Sequence, residues 1–305
     1  MNRNLSYIYD KRSAKRVAIC LTILLATLFT SNAQLLWEIS GNSVNRKSYL
    51  IATDMLTDIS FLDTIPNVFK LFSNADKVIV EMSLNDSLFE KTLLGNAILA
   101  DSLSLKKLYE PSDYSQLSEA TFLYLNLPIG QIDKLKPIYV NELLRNQILV
   151  NWAGYDEQRS TVFFFQAMAI ETGKQIIGLD DVGETMYIMF EREPLQWQTQ
   201  ELLRTIQHPE KEVQQQKAIT QLYKSGKLNQ IADQIAMPDN RTTISYSDYK
   251  VYCARNKEWV KKLTPYIKEG NQFIALNCIY LGGDEGLIAQ LRKAGYRVKP
   301  YNKRQ

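Results

Sequence analysis

Apolar positions along this chain fall into two periods. Short, nearly continuous or alternating apolar runs predict strands at 35–40 (LLWEIS), 48–53 (SYLIAT), 77–82 (KVIVEM), 175–179 (QIIGL), 273–278 (FIALNC) and 296–301 (YRVKPY). Gly41-Asn42 opens a turn, so the first two strands form a hairpin with a longer loop. The 77–82 run is apolar almost throughout, as expected of a strand buried on both faces. Helical spacing appears at 57–73, where Ile59, Leu62, Ile65, Phe69 and Phe72 share a side and Pro66 divides the stretch into two short helices. A long helical region covers about 86–172, punctuated by Pro111, Pro128 and Pro137 and closed by Gly173-Lys174. Residues 193–236 read as charged amphipathic helix, and 256–268 and 287–294 as two more helices, the last stopped by Gly295. Strands separated by helices predict an α/β (α+β) fold: a central mixed sheet flanked by helices, with a large helical insertion at about 86–172.

The first residues follow another logic. Lys11, Arg12, Lys15 and Arg16 form a positive region, 17–29 is apolar, and Ser31-Asn32-Ala33 is a small-residue exit. This is the layout of a cleavable signal peptide at 1–33, with cleavage after Ala33 and a mature chain of 34–305 that is periplasmic or secreted. The apolar run is shorter than the ~20 residues of a membrane span, so no membrane is expected after cleavage. The leader also carries the charge. The chain has 36 Lys+Arg and 33 Asp+Glu, but 34–305 retains 31 basic and 32 acidic residues. A near-neutral mature chain gives no basis for nucleic-acid binding. Cys253 and Cys278 remain after cleavage; in an oxidising compartment they could pair, or they are two free thiols.

Candidate chemistry gathers at strand ends. Asp54, Glu81, Asp180 and Asn277 follow or close predicted strands, and Asp181, Glu184 and Asp284 are near in sequence. In an open sheet, ligands collect beyond the carboxyl ends of the strands. If these oxygens converge, they suit a hard divalent cation or carboxylate acid–base chemistry; otherwise they cap helices or face solvent. Glu81 lies in an apolar run and needs a partner, for which Arg255 is one candidate and a site role the other reading. The lone histidine, His208, precedes Pro209 in polar surroundings and reads as a surface helix end. No G-x-S-x-G, H-E-x-x-H, C-x-x-C or phosphate-binding glycine loop is present, and Phe163-Phe164-Phe165 reads as core.

In order, LLWEISGN, SYLIATDML, ADKVIVEM, TGKQIIGLDD, RNKEWVKKL and FIALNCIYLGGDEGLIAQLRKAGYRVKPY resemble the landmarks of the TraB/GumN family, which includes the Tiki-type metal-dependent proteases. The resemblance runs from about 35 to 301 and implies a TraB/GumN-like fold. It would place Glu81 as the acidic residue of the second strand, and Arg255, Asn256 and Trp259 in an R-N-x-x-W helix. It also exposes departures. The family's first G-T-x-H motif here reads Ala52-Thr53-Asp54-Met55, and its closing G-x-x-H motif reads Asn277-Cys278-Ile279-Tyr280. The G-L-E-T glutamate is Asp180, and Val162 stands where an aspartate opens the preceding helix.

In the family the two histidines are thought to hold a divalent metal that activates water. Methionine and tyrosine are poor replacements for imidazole at such a metal. The resulting expectation is a degenerate metalloprotease-fold protein, a pseudoenzyme without a cofactor or metal, that binds or scaffolds a protein or peptide. The alternative is a divergent, peptidase-like hydrolase with Glu81 and Arg255 as catalytic residues, a pocket including Asp54, Asp180, Asn256 and Asp284, and a divalent cation. Geometry discriminates: acids around an open pocket favour the second, and Met55 and Tyr280 occupying that space favour the first.

Overall fold

In the computed structural model, residues 34–83, 89–236 and 246–301 are described. The expected leader and its cleavage point lie outside the described residues, as does Asp86, where the helical insertion is expected to begin.

Six strands form one mixed sheet in the order β4-β3-β5-β2-β1-β6. They are β1 (Leu36–Ser40), β2 (Ser48–Thr53), β3 (Lys77–Val80), β4 (Gln175–Gly178), β5 (Gln272–Asn277) and β6 (Arg297–Pro300). β1 runs antiparallel to both β2 and β6, while β2, β5, β3 and β4 run parallel to one another. Each parallel step needs a helical crossover, which is why helices separate these strands in the sequence. β5, late in the chain, inserts between β2 and β3, with Tyr49 opposite Phe273 and Thr53 opposite Asn277. The core on this sheet includes Ile51, Ile79, Phe273 and Ile274, all fully buried. Phe165 packs against Phe273 with ring centroids 4.9 Å apart, so the triple-phenylalanine run does serve the core at its third member.

Several boundaries differ from the sequence expectation, each for a local reason. The third strand stops at Val80, so Glu81 stands just past the carboxyl end of an apolar strand rather than within it. The 57–73 stretch divides at Pro66 as expected, but its first half is a 3-10 turn, Ile59–Thr64, ahead of the helix Val68–Asn74. The charged region 193–236 comprises three helices, Leu195–Gln207, Pro209–Lys224 and Leu228–Ala236. Pro209 opens the second at its first position, where a missing N–H costs nothing. Gly226, at φ +69°, lies at the exit of the same helix. The helix expected from Asn256 extends over Tyr246–Glu269, so Cys253 is well inside it.

Between β3 and β4 the chain makes the helical insertion, including Phe89–Asn96, Pro111–Ala120, Pro137–Ala153 and Thr161–Glu171. A second apolar cluster joins it to the following helices, with Leu105, Leu117, Val140, Leu144 and Leu202 buried together. No helix among the described residues is long and apolar enough to cross a membrane.

Candidate functional site at the carboxyl edge of the sheet

Because β2, β5, β3 and β4 are parallel, their carboxyl ends share one edge. β5 separates the sequence-consecutive β2 and β3 there, which is the kind of topological switch where open sheets place ligands. Asn277 ends β5, and its Oδ1 accepts from the Ile279 N–H at 3.2 Å, capping the 3-10 turn Cys278–Tyr280. Its own N–H donates to Glu81 Oε1 at 2.8 Å. Asparagine at a position expected to be glycine thus builds the turn that aims Tyr280.

Arg255 is the centre of the polar contacts. Its Nε and Nη2 donate to Asp180 Oδ2, and its Nη1 donates to the Tyr280 hydroxyl at 2.6 Å. Asp180 Oδ1 accepts from the Trp259 indole N–H at 2.6 Å. The guanidinium lies over the rings of Trp259 and Tyr280, 4.9 and 5.1 Å from their centroids. Arg255 is therefore not the bonded partner of Glu81; it serves Asp180 and Tyr280, and Glu81 takes a backbone N–H instead. Burial pushes the Glu81 carboxyl above its ordinary range, opposed by Arg255 and the Asn277 N–H. Burial, then Glu81, raises the Tyr280 phenol well above normal, so it stays protonated. Burial works against the charge of Arg255, but Tyr280 and Asp180 outweigh it and hold the group as a cation.

Asp54 sits at the end of β2 in a separate buried polar knot. Its carboxylate accepts from the hydroxyls of Thr57 at 2.7 Å and Thr220 at 2.9 Å, and from Gln216 Nε2 at 3.5 Å. Its N–H donates to Thr161 Oγ1 at 2.9 Å. Burial raises its pKa, with the two threonines pulling the other way. Ala52 and Thr53 are buried within β2, and the Tyr223 hydroxyl donates to the Ala52 carbonyl at 3.0 Å.

A cavity of about 320 Å³ opens at this edge, between the sheet and its helical cover. Met55, Asn277, Tyr280 and Arg255 line it from the sheet side. The helical side includes Tyr139, Glu142 and Arg145 from Pro137–Ala153 and Trp197 from Leu195–Gln207. The π-helical turn Tyr187–Glu191 contributes Ile188, Met189 and Phe190; such turns recur at functional sites. The two positions where the family's histidines are expected thus face one cavity from distant parts of the chain.

The predicted acids do not surround it. Asp54, Glu81 and Asp180 are absent from its lining. Asn256 donates to the Tyr280 and Glu285 carbonyls and fastens the 280–285 loop. Asp284 is exposed and outside the cavity. Asp181 caps the Val182–Met186 helix through the Glu184 N–H, and Glu184 pairs with Lys262. His208 is an exposed residue at the junction of two helices. Cys253 and Cys278 are free thiols. The helical-wall residues Arg145, Arg192 and Trp197 gave no signal in the sequence, since no motif sets them apart.

These donors do not suit the divalent metal that the family resemblance implies. Met55 offers a neutral thioether, Tyr280 a phenol held in its protonated form, and Asp180 is already engaged by Arg255 and Trp259. Among the described residues no group of three His, Cys, Asp or Glu side chains could hold a metal ion. No curated protein and no solved structure matches the chain. Residues 35–300 match the model of the TraB/PrgY/gumN family. With that match covering most of its length, the chain belongs to the TraB/PrgY/gumN family.

Proposed function

We propose that this protein is an exported binding or scaffold module, in which the framework of a metal-dependent hydrolase carries a ligand pocket in place of a metal centre. The supporting observation is the Arg255 guanidinium, bonded to Asp180 and to Tyr280 at the position of the lost second histidine. A fixed protein cation beside Glu81 and Asp180 already supplies the positive charge those carboxylates call for, and it repels a second cation. The leader-like first 33 residues support export to the periplasm or beyond, and a protein or peptide is the expected partner. No nucleic acid is expected on the charge balance.

The test is metal binding and peptidase activity of residues 34–305, stripped with chelator and offered Mn²⁺, Co²⁺, Zn²⁺ or Ca²⁺. The expected outcome is neither tight metal binding nor cleavage, with metal affinity gained in Met55→His/Tyr280→His. A divergent hydrolase is the second reading. Glu81 favours it, because a carboxyl raised by burial at this edge suits acid–base work. Tight metal binding by the natural chain, lost in Glu81→Gln, would replace the first reading with the second.

A further inference from the structure

The walls of the cavity define what it can accept. Much of the surface is aromatic or aliphatic, including Tyr139, Phe190, Trp197, Tyr252 and Ile279. The two carboxylates in the lining are committed: Glu142 accepts from Arg145, and Glu193 accepts from Arg192. Arg145 also reaches the buried Glu212 through Nε at 3.0 Å. What remains without a hydrogen-bond partner among the described residues is mostly donors. Arg145 Nη2, the Trp197 indole N–H and Asn277 Nδ2 are all unengaged, while Gln216 Oε1 is the matching unengaged acceptor in the lining. These donors are open to the cavity's solvent, so a ligand acceptor takes the place of water there, and the exchange gains most where the bond is charge-assisted. Carboxylate oxygens accept several such bonds and pair especially well with guanidinium N–H groups. About 320 Å³ is the small end of the ~300–1,000 Å³ of ordinary ligand pockets, so the occupant is a compact molecule or a chain terminus.

We propose that the cavity between Met55, Arg145, Trp197 and Tyr280 binds a small apolar monocarboxylate, its oxygens taken by the unengaged donors and its body packed on the aromatic wall. This deepens the binding-module reading and rests on it. Arg255 contributes its fixed charge and the position of Tyr280, with three of its five N–H groups given to Asp180 and Tyr280. Arg145 is the cation on the helical wall whose Nη2 has no bond among the described residues and can meet the carboxylate.

Calorimetric titration of residues 34–305 tests this with 4-phenylbutyrate, its primary amide and 4-phenylbutylamine. A parallel arm uses N-acetyl-Ala-Phe as the free acid and as the C-terminal amide, which separates a free small acid from a peptide C-terminus. The expected result is saturable binding of at least one acid, at least tenfold tighter than its amide, and no binding of the amine. Ile138→Trp, which fills the cavity from its wall, should abolish that binding while the melting temperature is maintained. Arg145→Lys should weaken it by about tenfold, the cost of losing one charge-assisted fork; if that variant does not fold, the Ile138→Trp result stands alone. Equal binding of acid and amide, binding that survives Ile138→Trp, or binding of none of the series would overturn the proposal. A metal titration on the same sample keeps the two questions apart. Absence of both acid and metal binding defeats the carboxylate proposal alone, whereas tight metal binding defeats the binding-module reading beneath it.

Discussion

Arg255 and Asp180 form a two-nitrogen ion pair in which the aspartate side chain is 1% exposed and the arginine 13%. They come from opposite ends of the one connection between β4 and β5, Asp180 just past β4 and Arg255 in the Tyr246–Glu269 helix. The pair ties the last long helix to the carboxyl edge of the sheet, and Trp259 and Tyr280 complete its bonding. Breaking a buried pair from one side strands a charge, which costs more than the pair itself contributes.

That asymmetry gives the first prediction. Arg255→Met and Asp180→Asn should each lower unfolding free energy by ~3–5 kcal/mol. The double variant should lose less than the sum, with a coupling of ~0.5–3 kcal/mol. Urea denaturation of the four proteins measures it, and strict additivity would mean that the two groups do not interact.

Tyr280→Phe isolates the hydroxyl. It leaves one Arg255 N–H without its acceptor in a partly buried place and should cost ~1–3 kcal/mol. The ring contacts with Trp259 and Tyr252, at centroid distances of 4.7 and 5.0 Å, remain. A Phe variant as stable as the natural chain would show that water replaces the phenol at Arg255.

Asp54 carries a pH dependence of defined sign. Its folded pKa is raised by burial, so the folded state holds the proton more tightly than the unfolded chain does. The associated stability is fully present below the unfolded value near ~3.9 and declines as pH rises through the folded pKa. Asp54→Asn retains a side chain able to bond Thr57 and Thr220 but does not titrate. Urea midpoints from acid to neutral pH should therefore fall less steeply in Asp54→Asn than in the natural chain. Parallel curves would mean that Asp54 does not titrate differently on folding.

The two thiols should react in sequence. Cys278 is fully buried, with its thiol pushed well up by burial and then by Asp54, whereas Cys253 is half-buried and raised less. Because the thiolate is the reactive form, a disulfide reagent should modify Cys253 slowly and Cys278 only on unfolding. Equal native-state rates, followed by mass spectrometry, would contradict this packing.

Gly282→Ala should destabilise without touching the cavity. A Cβ at this position would stand 2.0 Å from the Leu228 carbonyl oxygen, so the turn after Tyr280 and the Leu228–Ala236 helix must separate. Overpacking of this kind costs ~1–3 kcal/mol, readable as a lower melting temperature.

The sequence by itself determined the strands, the α/β class, the helical insertion and the family, because each rests on patterns that survive as local signals. The period of apolar residues distinguishes strand from helix, and Pro66 marks a break through backbone geometry alone. The reading that Met55 and Tyr280 stand where the family resemblance expects histidines likewise rests on motif position, which requires no coordinates. Tertiary structure alone decided which acids share a site. Asp54, Glu81 and Asp180 all stand at strand ends, yet one joins a threonine knot, one accepts a backbone N–H, and one binds Arg255 and Trp259. Nothing in their spacing separates these outcomes, because a side chain's partner depends on which strand lies beside its own. β5 enters between β2 and β3 from far along the chain, and the helical wall bearing Arg145 and Trp197 folds over the same edge. A carboxylate's role follows from the charges and donors that long-range packing brings within a few ångströms, and local sequence does not specify them.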